Sequence, residues 1–132
     1  MIDPHFRETI DNINKAVEDL SRGVIVVLDD DKTSLKLICS VLRGRGEEVR
    51  GTTNQYEFFR ILESNYVKAV LVDYYLCDVN GLRILQELNG APFKKIIISG
   101  HLLDDIILPD NVGFVSKTEK RIDEAILKLV NS

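Results

Sequence analysis

The sequence predicts an α/β fold, a doubly wound parallel sheet of five strands covered by helices on both faces. Two observations carry this. Five short runs of strand character recur along the chain, and each is followed by a stretch with helical apolar spacing or its remnant. The first, third and fourth runs are apolar without interruption, as strands buried on both faces must be. At 132 residues the chain suits one such domain with a core of its own.

The elements follow in order. Asp3 and Pro4 read as a helix start, with Asp at the N-cap and Pro at the first helical position. Phe6, Ile10, Ile13, Val17 and Leu20 then alternate spacings of four and three, an a/d seam about two heptads long that Gly23 stops. Residues 1–22 are therefore set apart as an extra N-terminal helix, and residues 23–132 as the sheet domain. The helix either folds back on its own domain or forms a coiled-coil seam for a homodimer or an upstream module. A stripe this narrow fits the seam better.

Val24 to Leu28 form the first strand, and Leu35, Ile38, Val41 and Leu42 mark a helix ended by Gly44 and Gly46. A weaker, more polar run near 48–52 reads as an edge strand. Phe58, Phe59, Leu62 and Tyr66 mark the next helix. Ala69 to Val72 form the third strand, and Leu82, Leu85 and Leu88 a helix that Asn89 and Gly90 close. Ile96 to Ile98 form the fourth strand. The helical remnant after it, 101–108, is short and runs into Pro109, a helix breaker. Gly113 to Ser116 form the fifth strand, and Ile122, Ile126, Leu129 and Val130 the last helix.

Bulk properties exclude several function classes. A net charge of −4, with no basic run longer than two residues, argues against direct nucleic-acid binding. No apolar run approaches membrane-spanning length and no signal core opens the chain, so a cytoplasmic protein without membrane insertion is expected. Cys39 and Cys77 form no CxxC or zinc pattern. Cys39 falls in an apolar helical stretch, as a small buried hydrophobe does, and Cys77 falls in a loop.

In open α/β sheets ligands bind outside the carboxyl ends of the strands. Asp29, Asp30 and Asp31 follow the first strand, Asp73 ends the third, Ser99 the fourth, and Lys117 follows the fifth. Any one of these has an ordinary explanation, and for Asp31 a helix N-cap is the better one. Their conjunction on one rim is what points to a site. Clustered carboxylates repel, and a hard cation such as Mg²⁺ relieves the repulsion while leaving positions for water and phosphate.

This pattern resembles the receiver domains of two-component response regulators, over residues 23–132. The resemblance implies the flavodoxin-like strand order 2-1-3-4-5. It implies Asp73 as phosphoacceptor for a sensor histidine kinase or a histidine phosphotransfer protein, with Asp29, Asp30, Asp73 and the Tyr75 carbonyl around Mg²⁺. It further implies Ser99 as switch hydroxyl, Lys117 as phosphate-pairing cation and Phe114 as the aromatic that changes rotamer. Such a domain is a switch that catalyses its own phosphotransfer and dephosphorylation, not an enzyme with a separate substrate. Tyr75 and His101, each two residues past a site residue, flank the water's approach in the family and are candidates for tuning the phosphoform's lifetime.

The sequence departs from the family in three places. Cys77 and Thr118 stand where prolines are usual, and Thr118 is free to cap the last helix. The intervals from Asp73 to Ser99 and from Ser99 to Lys117 are each about one helical turn short. The first shortening trims the family's third helix, and the second makes its fourth helix, part of the usual output surface, short or irregular.

Two other readings are open. Asp29, Asp31 and Thr33 after a strand also resemble the DxDxT signature of haloacid-dehalogenase-type phosphatases, with Asp29 as nucleophile and Asp31 as general acid. The chain is short for that family, and no paired acids follow Lys117. A pseudo-receiver, an interaction module without phosphate turnover, is the other. No helix-turn-helix, cyclase or kinase region follows the last helix, so a stand-alone regulator or a piece of a larger protein is expected.

Overall fold

The structure, a computed structural model, describes residues 3–101 and 106–132, and only the backbone of residues 15–21. A 19-residue helix α1 (Pro4–Arg22) comes first. It is followed by β1 (Val24–Leu28), α2 (Lys32–Arg43), β2 (Val49–Thr52), α3 (Gln55–Ser64) and β3 (Val67–Asp73). Then come α4 (Gly81–Glu87), β4 (Lys94–Ser99), β5 (Val112–Ser116) and α5 (Ile122–Val130). The strands form one parallel sheet in the order β2-β1-β3-β4-β5, the flavodoxin-like order the resemblance implies.

Side chains alternate across the sheet, so each strand feeds two cores. Ile25, Val27, Ala69, Leu71, Ile96, Ile98 and Val115 pack with α2 and α5. Val26, Leu28, Val70, Val72 and Ile97 pack with Phe58, Ile84 and Leu85 of α3 and α4. Burial of this extent on both faces is why the middles of the central strands, 24–28, 69–72 and 96–98, are apolar without interruption.

Helix starts follow the local chemistry. Asp3 accepts from the backbone N–H of His5, with Pro4 at the first helical position. Asp31 caps α2 by accepting from Thr33 and Ser34, and Asn54 and Asn80 cap α3 and α4. Gly23 ends α1 at φ 65°, where the ring of Tyr66 would crowd a β-carbon at 3.0 Å.

Several expectations need correction. Tyr66 does not belong to α3. That helix stops at Ser64, the backbone turns extended at Asn65, and the Asn65 amide donates back to the Ile61 carbonyl. Thr118 does not cap the last helix. Its hydroxyl bonds Ser116 at 2.7 Å, and α5 starts four residues later, behind Arg121, without a side-chain cap. The shortened α4 appears as expected, with seven residues. Between β4 and β5, no helix forms among the described residues. His101 lies in a bend and 106–109 are irregular, while 102–105 of the short fourth helix lie outside the described residues.

In α1, Phe6, Ile10 and Ile13 are 56%, 41% and 56% exposed, so these three do not fold back into the domain core. Val17 and Leu20, the rest of the seam, have side chains outside the described residues. No helix is long and apolar enough to cross a membrane among the described residues.

Candidate functional site

The alternation that builds the core also builds the site. Continuing the rows Ile25–Val27 and Ala69–Leu71 by two residues reaches Asp29 and Asp73, and continuing from Val115 reaches Lys117. All three emerge beyond the α2/α5 core at the carboxyl rim. Asp29 is fully buried and Asp73 is 5% exposed. Their burial leaves the charges little water and makes them depend on one another.

Lys117 supplies the counter-charge. Its Nζ lies 2.7 Å from Asp29 Oδ2 and 3.3 Å from Asp73 Oδ2. The Lys117 backbone N–H donates to the Ser99 carbonyl at 2.8 Å, which fixes where the side chain starts. Asp29 Oδ1 accepts from the Asp31 N–H at 3.0 Å. Asp29 Oδ2 is buried, and the Lys117 ammonium is the cation set against it.

The titration behaviour follows. Burial raises the Asp73 pKa, the charge of Asp29 raises it further, and Lys117 pulls it partly back, for a value of about 6. Burial alone lowers the Lys117 pKa, but Asp29 and then Asp73 more than offset this and hold it above the usual lysine range.

One oxygen from each of Asp29, Asp30 and Asp73 can come within 4.8 Å of the others. Three hard oxygen donors at that separation, one on a buried carboxylate with a free lone pair, fit a small divalent cation. Asp31, exposed and committed to capping α2, turns away from that role. The phosphatase reading needs Asp31 as an acid beside its nucleophile, and the capping geometry leaves it without one.

The loop after Asp73 is held by its own backbone. Tyr75 and Asn80 form an isolated antiparallel bridge, and the Gly81 N–H donates to the Tyr74 carbonyl at 2.8 Å. A β-carbon on Gly81 would lie 2.3 Å from the Asp73 carbonyl oxygen. The spacing from Asp73 to Gly81 is therefore a packing requirement. Gly81→Ala is expected to cost about 1–3 kcal/mol, because backbone has to shift to make room. Thermal denaturation checks this, and a melting temperature equal to the wild type's would count against it.

Ser99 is fully buried at the end of β4, where its hydroxyl accepts from the His101 N–H at 3.1 Å. Phe114, paired with Ile97 in the sheet register, is 38% exposed. Tyr75 and His101 meet edge to face, their ring centroids 5.2 Å apart, and Tyr74 packs on Tyr75 at 4.9 Å. The sequence singled out both residues, but it held no sign that they touch each other. It also missed the neighbourhood of Cys77. Hydrogen bonding to Asp30, then the charge of Asp30, raises that thiol's pKa.

Comparison with known proteins places the chain. The response regulator receiver domain family matches residues 25–128, and the chain belongs to that family. No curated protein matches the sequence. Among solved structures, a receiver domain protein from Clostridium thermocellum is 28% identical, with a TM-score of 0.69 over 81% of this chain and 93% of its own. A CheY-like receiver domain protein from Methanospirillum hungatei JF-1 is 23% identical, with a TM-score of 0.68 over 81% and 92%. A response regulator from Burkholderia pseudomallei, solved with a phosphorylated aspartic acid, calcium ion and citrate, is 19% identical, with a TM-score of 0.66 over 80% and 65%. Phosphorylation on an aspartate is general for the family, as is Mg²⁺ binding at an acidic pocket.

Proposed function

We propose that this receiver domain takes a phosphoryl group on Asp73 from a phosphohistidine, on a sensor histidine kinase or a histidine phosphotransfer protein, in a Mg²⁺-dependent reaction in the cytoplasm. The observation that carries the reading is the buried triangle of Asp29, Asp73 and Lys117, with Asp30 at its edge. The protein acts as a switch that catalyses its own phosphorylation and dephosphorylation.

Asp29, Asp30, Asp73 and the Tyr75 carbonyl would hold the cation, which when bound neutralises charge on the phosphoryl oxygens. The chain's own residues do the rest. An Asp73 carboxylate oxygen attacks phosphorus in line as the bond from phosphorus to the histidine nitrogen breaks, and the freed imidazole leaves with the electron pair of that bond. Lys117 stands where it can pair with the phosphoryl oxygens, so positioning and charge supply most of the rate. In the starting state the Ser99 hydroxyl is held by its own loop and Phe114 faces outward. An acyl phosphate on Asp73 offers Ser99 a stronger acceptor, and the β4 loop moves in with it. Phe114 then turns toward the space left behind, and a local charge event changes a surface.

The direct test is intact-mass measurement after incubation with a small phosphodonor. Phosphate is expected on the wild type with Mg²⁺ and not after chelation. Incorporation that ignores the metal would overturn the proposal.

The Tyr75–His101 pair supports a long-lived phosphoform, because two rings in edge contact shield the water's approach. Tyr75→Asn is expected to speed loss of phosphate roughly tenfold, about 1.4 kcal/mol in barrier. An unchanged half-life in a chase assay would remove Tyr75 from that role.

A further inference from the structure

We propose that α1 pairs with α1 of a second copy of this chain, making the protein a homodimer joined through its N-terminal helix. This surface is separate from the phosphorylation site and does not depend on how that site works.

Phe6, Ile10 and Ile13 lie on one stripe of a regular helix and are each more than 40% exposed. Val17 and Leu20 continue the same four-three spacing in the sequence. Water is a poor environment for this stripe, and a lone 19-residue helix of mixed composition is marginal without a partner.

The distribution of charge selects the partner. With Ile10 and Val17 at a positions and Phe6, Ile13 and Leu20 at d positions, the flanking positions hold Arg7, Thr9, Asn14, Ala16 and Ser21. Only Arg7 among these is charged. Glu8, Asp11, Lys15, Glu18, Asp19 and Arg22 all fall on the outer positions. An identical helix therefore meets an apolar seam with borders that do not repel it, which is what a two-fold contact between like surfaces requires. Val17 at an a position followed by Leu20 at d favours two strands. An anionic membrane is a poorer match, because residues 3–22 carry five acidic side chains against three basic ones, where a surface-binding helix is rich in Lys and Arg.

A two-heptad contact is smaller than the roughly 1,200 Å² at which standard-sized stable interfaces begin, so association in the micromolar range is expected. Sedimentation equilibrium of the full chain is expected to show a mass rising with concentration from 15.0 kDa towards twice that value. The Ile10→Glu/Ile13→Glu double variant is expected to stay monomeric while still taking up phosphate, since neither residue touches that site. Because such a variant can lose α1 altogether, a second pair keeps the test sharp. Ile13→Glu and Ile13→Lys are each expected to be monomeric alone and to associate when mixed. A wild type that is monomeric at about 1 mM overturns the proposal. So does a double variant that dimerises as tightly as the wild type, or a mixed pair that stays apart. A monomeric wild type that binds phosphatidylglycerol vesicles would assign the stripe to a membrane surface instead.

Discussion

Asp73→Asn is expected to abolish phosphoryl incorporation and, in the metal-free protein at pH 8, to raise the melting temperature. The first effect follows from replacing the attacking carboxylate oxygens with an amide that cannot hold an acyl phosphate. The second follows from what the carboxylate costs the fold. Its folded pKa of about 6 lies above the ordinary 3.8, because burial and Asp29 oppose its charge. Between those values the folded state binds more protons than the unfolded one, so stability falls as pH rises through that window. Above about pH 6 the penalty is fully present, on the order of 1–3 kcal/mol. Asparagine has the same shape without the charge, and removing the penalty is worth roughly 3–10 °C. At pH 4 the folded carboxyl is protonated and the unfolded one is near its midpoint, so most of the difference should be gone. Melts under chelation at pH 4 and pH 8, with intact-mass phosphorylation alongside, test both parts. Phosphate on the variant, or the same shift at both pH values, would count against the assignment.

Most of this site was legible in the sequence because strand alternation is a strict rule. Once the apolar runs 24–28 and 69–72 are taken as buried strands, the next residues must emerge at the carboxyl rim, and Asp29 and Asp73 are those residues. Asp31 was legible as a cap for a related reason, since a lone acid before a helix has N–H groups to accept from.

Other features depend on contacts that no spacing encodes. The edge-to-face contact of Tyr75 and His101 joins two loops from different strands. Tyr66 sits at helical spacing from Leu62, yet the Asn65 side chain takes a carbonyl at the end of α3 and lets the chain leave early. Lys94 and Lys95 look like a surface pair, but Lys95 is 6% exposed. Its ammonium donates to the Ala91 carbonyl at 2.9 Å and lies 5.3 Å from the centre of the Phe93 ring. A four-carbon stem buries readily when its tip finds acceptors, which composition alone does not reveal.

Lys117→Ala is expected to slow phosphorylation of Asp73 by about 10²–10³-fold, the usual loss when one positioned charge donor is removed. In the metal-free protein it should also cost about 3 kcal/mol, because Asp29 and Asp73 are left buried against each other without the ammonium that lies 2.7 and 3.3 Å away. The same loss has an opposite effect on the cation. Lys117 repels any divalent ion placed among Asp29, Asp30 and Asp73, so the variant should bind Mg²⁺ more tightly than the wild type. Saturating Mg²⁺ should then restore more stability to the variant than to the wild type, since ligand binding to the folded state stabilises by mass action. A variant that had merely misfolded would lose metal affinity together with phosphorylation, whereas this one is expected to gain the first while losing the second. Lys117→Arg keeps the charge and should recover most of the metal-free stability, though its wider head aims differently at a phosphoryl oxygen and should recover less of the rate. Phosphorylation of Lys117→Ala within about threefold of the wild type, under about 0.7 kcal/mol in barrier, would show that the ammonium serves only to hold two carboxylates together.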